Sequence, residues 1–254
     1  MSTKFDAIVS ENIKTILEGE GIKIRLSAEC ICFKKRGDKV GVQVDCSSGD
    51  KTVIGSHTLL AVGRVPNTND LGVEHAGIEV DKRGYIRVDD QLRTNVPGIY
   101  AFGDCNGHGA FTHTAYNDYE IVAANLLDGD ERRVSDRITA YALYIDPPLG
   151  RAGMTEAELR KSGRKALIGK RPMTQAGRAV EKGETDGFMK VLVDAETKKI
   201  LGASLLGIEC DEVIHSILDV TYANAPYTVI QRAMHIHPTV SDPFRGFFHR
   251  CTTA

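Results

Sequence analysis

Phe188-Met189-Lys190-Val191-Leu192-Val193 and Ile200-Leu201-Gly202-Ala203-Ser204-Leu205-Leu206 are two apolar runs joined by the polar stretch Asp194-Ala195-Glu196-Thr197-Lys198-Lys199. Runs of this length around a polar turn read as the two strands of a hairpin. Residues 209–222 follow at once. They set Val213, Ile214, Ile217, Leu218 and Thr221 on one face of a helix. A hairpin followed by an amphipathic helix predicts an antiparallel sheet with helices packed on one side, an α+β arrangement. Residues 154–162, opening Met154-Thr155-Glu156, and a short segment from Pro226 read as further helices of this half. The 209–222 helix is expected to expose an apolar face, which predicts a dimer.

Upstream the rhythm differs. Ile8, Val9, Ile13, Ile16 and Leu17 form a helical stripe over 8–18, with Ser10 as its cap and Gly19 and Gly21 as its end. Ile22, Ile24 and Leu26 alternate, as do Val40, Val42, Val44 and Cys46. Polar turns fall at Lys35-Arg36-Gly37-Asp38 and Ser47-Ser48-Gly49-Asp50. His57-Thr58-Leu59-Leu60-Ala61-Val62 reads as a buried strand ending at Gly63. Gly98-Ile99-Tyr100-Ala101-Phe102 reads as another, ending at Gly103-Asp104. Residues 115–127 are helical by pattern, with Ala115, Tyr119, Val122, Ala123 and Leu126 to one side. The charged break Asp128-Gly129-Asp130-Glu131-Arg132-Arg133 predicts a domain boundary. The expected division is an α/β region over 1–135 and an α+β domain over 136–254.

The composition narrows the function classes. With 254 residues, 42% apolar and 26% charged, the chain has the make-up of a globular protein with a real core. A net charge of −2 gives no basic footprint for nucleic acid. No apolar run is long enough to cross a bilayer, and Met1-Ser2-Thr3-Lys4-Phe5-Asp6 does not read as a signal peptide. A cytoplasmic location is expected. The six cysteines, Cys30, Cys32, Cys46, Cys105, Cys210 and Cys251, include no Cys-x-x-Cys and no Cys-x4-Cys. Cys30 and Cys32 flank Ile31 in a strand-like run and are read as packing residues. Neither a disulfide framework nor a metal site is expected.

Two stretches carry chemistry. In His235-Ile236-His237-Pro238-Thr239-Val240-Ser241-Asp242, an imidazole and a carboxylate stand five positions apart across a Pro-Thr turn. A carboxylate can orient the ring and stabilise its charged form, which suits a proton-handling pair. In the second stretch, Gly103-Asp104 ends a strand-like run. Ligands of open sheets bind at such ends. Glycine lets a cofactor approach the backbone, and aspartate accepts hydrogen bonds from hydroxyls such as those of a ribityl chain. A helix beginning near Thr112 would aim its N-terminus at a phosphate or an electron-rich ring.

Taken with its neighbours, the run Thr94-Asn95-Val96-Pro97-Gly98-Ile99-Tyr100-Ala101-Phe102-Gly103-Asp104 resembles the second flavin-binding motif of the pyridine nucleotide-disulfide oxidoreductases, in their mercuric-reductase-like and dihydrolipoamide-dehydrogenase-like branch. Ala61-Val62-Gly63-Arg64-Val65-Pro66-Asn67 resembles the family's junction between nicotinamide and flavin domains. Asp146-Pro147-Pro148-Leu149-Gly150-Arg151-Ala152-Gly153-Met154-Thr155-Glu156 resembles the opening of its dimerisation domain. His237-Pro238-Thr239 resembles the signature of its active-site base. The resemblance implies an incomplete Rossmann-like FAD/NAD(P)-binding segment followed by an FAD/NAD-linked reductase dimerisation domain. It implies that Gly103 and Asp104 meet the flavin, that Thr112 presents backbone to it with His113 beside, and that Gly63 lies where NAD(P) approaches. It implies that His237 is the acid/base and Asp242 its orienting carboxylate, acting on the flavin and disulfide of the partner in a homodimer.

The departures are equally specific. The first flavin fingerprint Gly-x-Gly-x-x-Gly, the nicotinamide glycine loop and the redox pair Cys-x4-Cys are absent from this sequence; Gly19-Glu20-Gly21 follows a helix and lacks the third glycine. The family's Glu is replaced by the shorter Asp242, which is expected to loosen the bond to His237. Only Cys251 stands near the end, where mercuric reductase has adjacent cysteines. Two readings follow. One is the C-terminal portion of a flavin disulfide reductase with a small thiol or disulfide substrate. The other is a catalytically inactive, flavin-free dimerisation module.

Overall fold

The computed structural model describes residues 6–45, 51–247 and 252–253. The chain falls into two units, one made of Met1–His57 with Ile138–Ala254, the other of Thr58–Arg137. In this division the first 57 residues group with the C-terminal segment.

In the first unit, strands β4 (Ala140–Leu143), β5 (Leu149–Gly153), β6 (Ala166–Pro172), β7 (Phe188–Asp194), β8 (Ile200–Leu206) and β9 (Thr252–Thr253) form a six-stranded sheet of order β4-β5-β8-β7-β6-β9. Every pairing is antiparallel. The expected hairpin is β7–β8, in register from Phe188↔Leu206 to Val193↔Ile200. Its turn is held by Asp194, whose Oδ1 accepts the N–H groups of Glu196 at 3.0 Å and Thr197 at 2.7 Å.

Alternation along β7 sorts its side chains to two faces. Met189, Val191 and Val193 join a core with Ala203 and Leu205 of β8 and with Val213, Ile214 and Ile217 of helix α5 (Cys210–Tyr222). Phe188 turns the other way. With Leu149 and Leu206 it packs on Val9 and Ile13 of helix α1 (Ala7–Gly19). Leu192 packs on Leu159 of helix α3 (Glu156–Ser162). Helices therefore cover both faces of the sheet, not one. The near-continuous apolar run of β7 is what a strand buried on both sides requires. The apolar face of α5 is consumed by its own sheet and is not the exposed patch expected of it. Each of the buried Val, Leu, Ile, Phe and Met side chains among them contributes about 1.5–3 kcal/mol.

One polar residue interrupts that run. Lys190, 2% exposed, pairs with Asp6 and reaches Glu156 Oε2 at 3.2 Å. Asp6 stands at the N-cap of α1 and also accepts the first N–H of α3, from Glu156, at 2.7 Å. This cluster ties α1, α3 and β7 together. Ser10, the expected cap, lies inside α1. Thr155 caps α3 in a capping box with Glu158.

The same unit holds a three-stranded antiparallel sheet of β1 (Glu29–Arg36), β2 (Lys39–Asp45) and β3 (Thr52–Gly55). The turn expected at 35–38 joins β1 and β2. The turn expected at 47–50, Cys46, Cys251 and the Cys30 side chain lie outside the described residues. Residues 22–26 form no strand, and Ile22 and Leu26 are exposed. Apolar alternation makes a strand only where a neighbour completes the ladder.

The second unit is loop-rich. Helix α2 (Thr112–Ala123) runs into a π-helical turn, Ala124–Asp128. Leu92, Ile121 and Val122 form its core. The buried face of α2 is Thr114, Asp118, Ile121 and Val122, while Tyr119 and Leu126, expected inside, are exposed. Residues 98–102 make one bridge, Arg93↔Tyr100, instead of a strand. Residues 57–62 form no strand either, and Leu59 is 89% exposed.

Candidate functional site

The chain leaves helix α6 (Thr228–Arg232), runs without regular structure, and enters helix α7 (Phe244–Phe247). Buried Val240 and Phe244 anchor this loop from inside. His235 Nε2–H donates to the Ile230 carbonyl at 3.0 Å, and its ring meets Phe244 edge-on. Arg171 on β6 donates to the carbonyls of Pro243, at 3.0 Å, and Gln175, at 2.8 Å. His237 projects outward, 70% exposed, with Gly177 at the start of helix α4 (Gly177–Lys182) beside its Cε1 edge. His237–Pro238 is a cis peptide.

Asp242 Oδ2 lies 2.8 Å from His237 Nδ1. A carboxylate only accepts, so Nδ1 carries the proton and Nε2 keeps the lone pair that can take another. Asp242 is one methylene shorter than the family's Glu, yet it closes a hydrogen bond of ordinary length. The loosening expected from the shorter side chain does not occur. The arrangement can accept a proton at Nε2 and hold the resulting cation against a carboxylate.

The remaining expected site residues lie in the Thr58–Arg137 unit. Gly103 has φ 82° and ψ −157°, backbone that residues with a side chain rarely adopt. A Cβ there would stand 3.4 Å from Ala115 Cβ, so the loop at Gly103 backs onto the first turn of α2. Asp104 starts the 3₁₀ turn Asp104–Asn106 and accepts a 2.6 Å bond from Arg64, the neighbour of Gly63. Gly63 itself has φ 127°. Thr112 and His113 occupy the first turn of α2, the positive end of the helix dipole, and the His113 ring stacks on Phe111 at 5.1 Å. A carboxylate offers about four acceptor sites, so the Arg64 bond leaves capacity for a polyol hydroxyl. These residues fit the polyol and ring end of a flavin nucleotide. The glycine-rich loops that would cradle its pyrophosphate are not in this sequence.

Sequence reasoning missed the group that builds this loop. Asp118, 1% exposed, accepts the Gly103 N–H and the Asn106 amide, both at 2.9 Å, and pairs with Arg137. Asn106 also donates to the Ala101 carbonyl at 3.2 Å. The signal was available: Asp118 is a charged residue four positions from Thr114 and from Val122, on the helix face that turns inward. Arg64, which bonds Asp104, carries no sequence signal of that role beyond its place in the 61–67 motif.

The family model for the pyridine nucleotide-disulphide oxidoreductase dimerisation domain matches residues 139–246, and a second model, for the pyridine nucleotide-disulphide oxidoreductases, matches 1–118. A probable pyridine nucleotide-disulfide oxidoreductase of Escherichia coli, RclA, is 35% identical over 244 residues, 96% of this chain and 54% of its own length. A dihydrolipoyl dehydrogenase of Thermus scotoductus is 32% identical over 232 residues, 91% and 50% of the respective chains. The solved structure of the HOCl-induced flavoprotein disulfide reductase RclA from E. coli superposes with a TM-score of 0.89 at 33% identity, over 97% of this chain and 56% of that one. The chain thus spans about half the length of the curated relatives it matches. No helix among the described residues is long and apolar enough to cross a membrane. On the two family models and these relatives, the chain belongs to the class I pyridine nucleotide-disulphide oxidoreductase family and carries its dimerisation domain.

Proposed function

We propose that this chain is the C-terminal portion of an FAD-dependent pyridine nucleotide-disulfide oxidoreductase, that it forms a homodimer, and that His237 is its acid/base. The observation that carries this reading is the 2.8 Å bond from His237 Nδ1 to Asp242, which leaves Nε2 on an exposed ring. When bound, FAD and NAD(P) would supply the electrons that reduce a disulfide. His237 does the proton work. Nε2 takes the proton of a thiol, and the thiolate attacks a disulfide sulfur. The S–S bond breaks, and the departing thiolate takes the proton back from the imidazolium. Asp242 lowers the cost of the cationic interval. Asp104, with Gly103, Thr112 and His113, would meet the flavin, and Gly63 would face the nicotinamide nucleotide. The partner molecules are a second copy and a small thiol or disulfide, and the compartment is the cytoplasm, where thiols stay reduced.

The test is NAD(P)H-dependent disulfide turnover of a full-length version, in which an N-terminal half with the redox cysteines and the first flavin motif precedes this chain, with and without His237→Ala. Loss of on the order of 10²–10⁴-fold is expected for a general acid/base. Unchanged turnover removes His237 from the mechanism. A second reading, a flavin-free dimerisation module, is favoured by one observation: no two of the six cysteines have the Cys-x4-Cys spacing. A colourless protein that cannot be reconstituted with FAD, and that leaves NAD(P)H unoxidised, supports the module.

A further inference from the structure

We propose that Thr239 is the positioning residue of the His237–Asp242 pair, a single hydroxyl that holds both ends of the dyad. Thr239 Oγ1 donates to the Ile236 carbonyl at 2.7 Å and accepts the Asp242 N–H at 3.2 Å. The Ile236 carbonyl belongs to the peptide that leads into His237. The Asp242 N–H belongs to the residue whose carboxylate takes His237 Nδ1–H. The hydroxyl therefore closes the loop from its inner side while the imidazole–carboxylate bond closes it from the outer side. A donor and an acceptor are both required of it, and threonine and serine meet that demand on a short stem.

The other ties of this loop act elsewhere. His235 fixes the segment to α6 through the Ile230 carbonyl. Arg171 fixes the Pro243 carbonyl, beyond the pair. Val240 and Phe244 fill the core beneath. Among the described residues, the Thr239 side chain alone bonds both to the peptide before His237 and to the backbone of Asp242. Thr239 is half-buried at the surface. Losing its hydroxyl turns the exposed Ile236 C=O and the part-buried Asp242 N–H toward water at modest cost to folding, while the carboxylate loses its fixed approach to Nδ1. Orientation of this kind governs proton transfer, because catalysis depends steeply on sub-ångström placement.

This inference rests on the reading of His237 as a proton carrier, and its test is spectroscopic so that the two can fail separately. Imidazole ¹⁵N shifts of the intact chain report which ring nitrogen of His237 carries the proton in the neutral form. In the unaltered chain the Nδ1–H tautomer is expected to dominate. In Thr239→Val it is expected to give way to a mixture, with an unchanged fold by circular dichroism, and Thr239→Ser is expected to restore it. A Thr239→Val chain that keeps the Nδ1–H tautomer overturns the proposal, as does a Ser variant that fails to restore it. Should the Val variant not fold, hydrogen exchange of the unaltered chain decides: an Asp242 amide exchanging at the free-peptide rate overturns the proposal, and a protected one supports it. A chain without reductase turnover would still give the tautomer signal, so loss of activity alone touches only the wider function.

Discussion

Lys190 in the centre of the sheet is ion-paired to Asp6, 184 residues before it, with both side chains withdrawn from solvent. Asp6 also takes the first N–H of α3 from Glu156, and Glu156 reaches back to Lys190. Removing Asp6 leaves Lys190 with only the part-exposed Glu156 as its partner and frees the Glu156 N–H. Asp6→Ala is expected to lose about 1–3 kcal/mol by urea denaturation, less than a fully unpaired buried charge would cost. The double variant Asp6→Leu with Lys190→Met is expected to lose much less, because it removes both charges and leaves Glu156 its exposed partner Arg160. A double variant as unstable as the single one would show that packing, not charge, decides the site.

The close approach of α5 to β5 sets a second prediction. A Cβ at Gly150 would fall 2.1 Å from the Cys210 carbonyl oxygen and 2.8 Å from Ile214 Cβ. The obstacle is helix backbone, which no rotamer change relieves. Gly150→Ala is expected to cost about 3 kcal/mol or more, at the upper end of overpacking, and to lower the melting temperature accordingly. Gly129→Ala is the contrasting case: its φ is 73°, yet nothing stands within 4 Å, so its cost is conformational only, about 1 kcal/mol.

Acid sensitivity follows from Glu158. Hydrogen bonds from the Thr155 N–H, at 2.7 Å, and the Thr155 hydroxyl, at 2.9 Å, hold its carboxyl below the ordinary value of 4.5, with burial opposing them. A carboxyl lowered by folding binds fewer protons in the native than in the unfolded chain. Its stabilisation is therefore complete above 4.5 and is lost as the pH falls through the native value. Urea midpoints measured from pH 6 down to pH 3 are expected to drop, and Glu158→Gln is expected to flatten that drop. An equally steep profile in the Gln variant would remove the capping box as a contributor.

Thiol labelling separates the cysteines. Cys210 is fully buried, and burial, followed by the Asp211 and Glu209 charges, pushes its thiol up to about 12. Cys32 is exposed. An aromatic disulfide reagent at pH 8, with sites mapped by mass spectrometry, is expected to modify Cys32 within minutes and to leave Cys210 untouched until denaturant is added, because the thiolate is the reacting form. Labelling of Cys210 in the native chain would show that the α5 core opens.

How much of this could be read in advance differs by element. The β7–β8 hairpin, α1, α3 and α5 were legible because each carries its own periodicity and its own turn or cap, and each finds its neighbour within this chain. Residues 22–26 and 57–62 form no strand because the apolar alternation of the first and the apolar run of the second report a demand for burial, not the presence of the strand that would satisfy it. The helix faces failed for a related reason. Asp118 belongs inside α2, and Tyr119 and Leu126 outside, since a buried carboxylate with Gly103, Asn106 and Arg137 outweighs apolar patterning. The His237–Asp242 spacing announced a pair, but the brace at Thr239 required coordinates, because both of its partners are backbone atoms.

The same loop supplies the final prediction. Met234 and Ile236 alternate with His235 and His237 and are 96% and 79% exposed. Two large apolar side chains standing in water beside a candidate base are costly on a lone subunit and favourable if a second copy covers them. Ile236→Asp is expected to convert the dimer to monomer in light scattering at micromolar concentration, since a charge at a desolvated contact costs several kcal/mol of association. A dimer that survives Ile236→Asp places the two-fold contact away from this loop, and the base would then serve its own subunit.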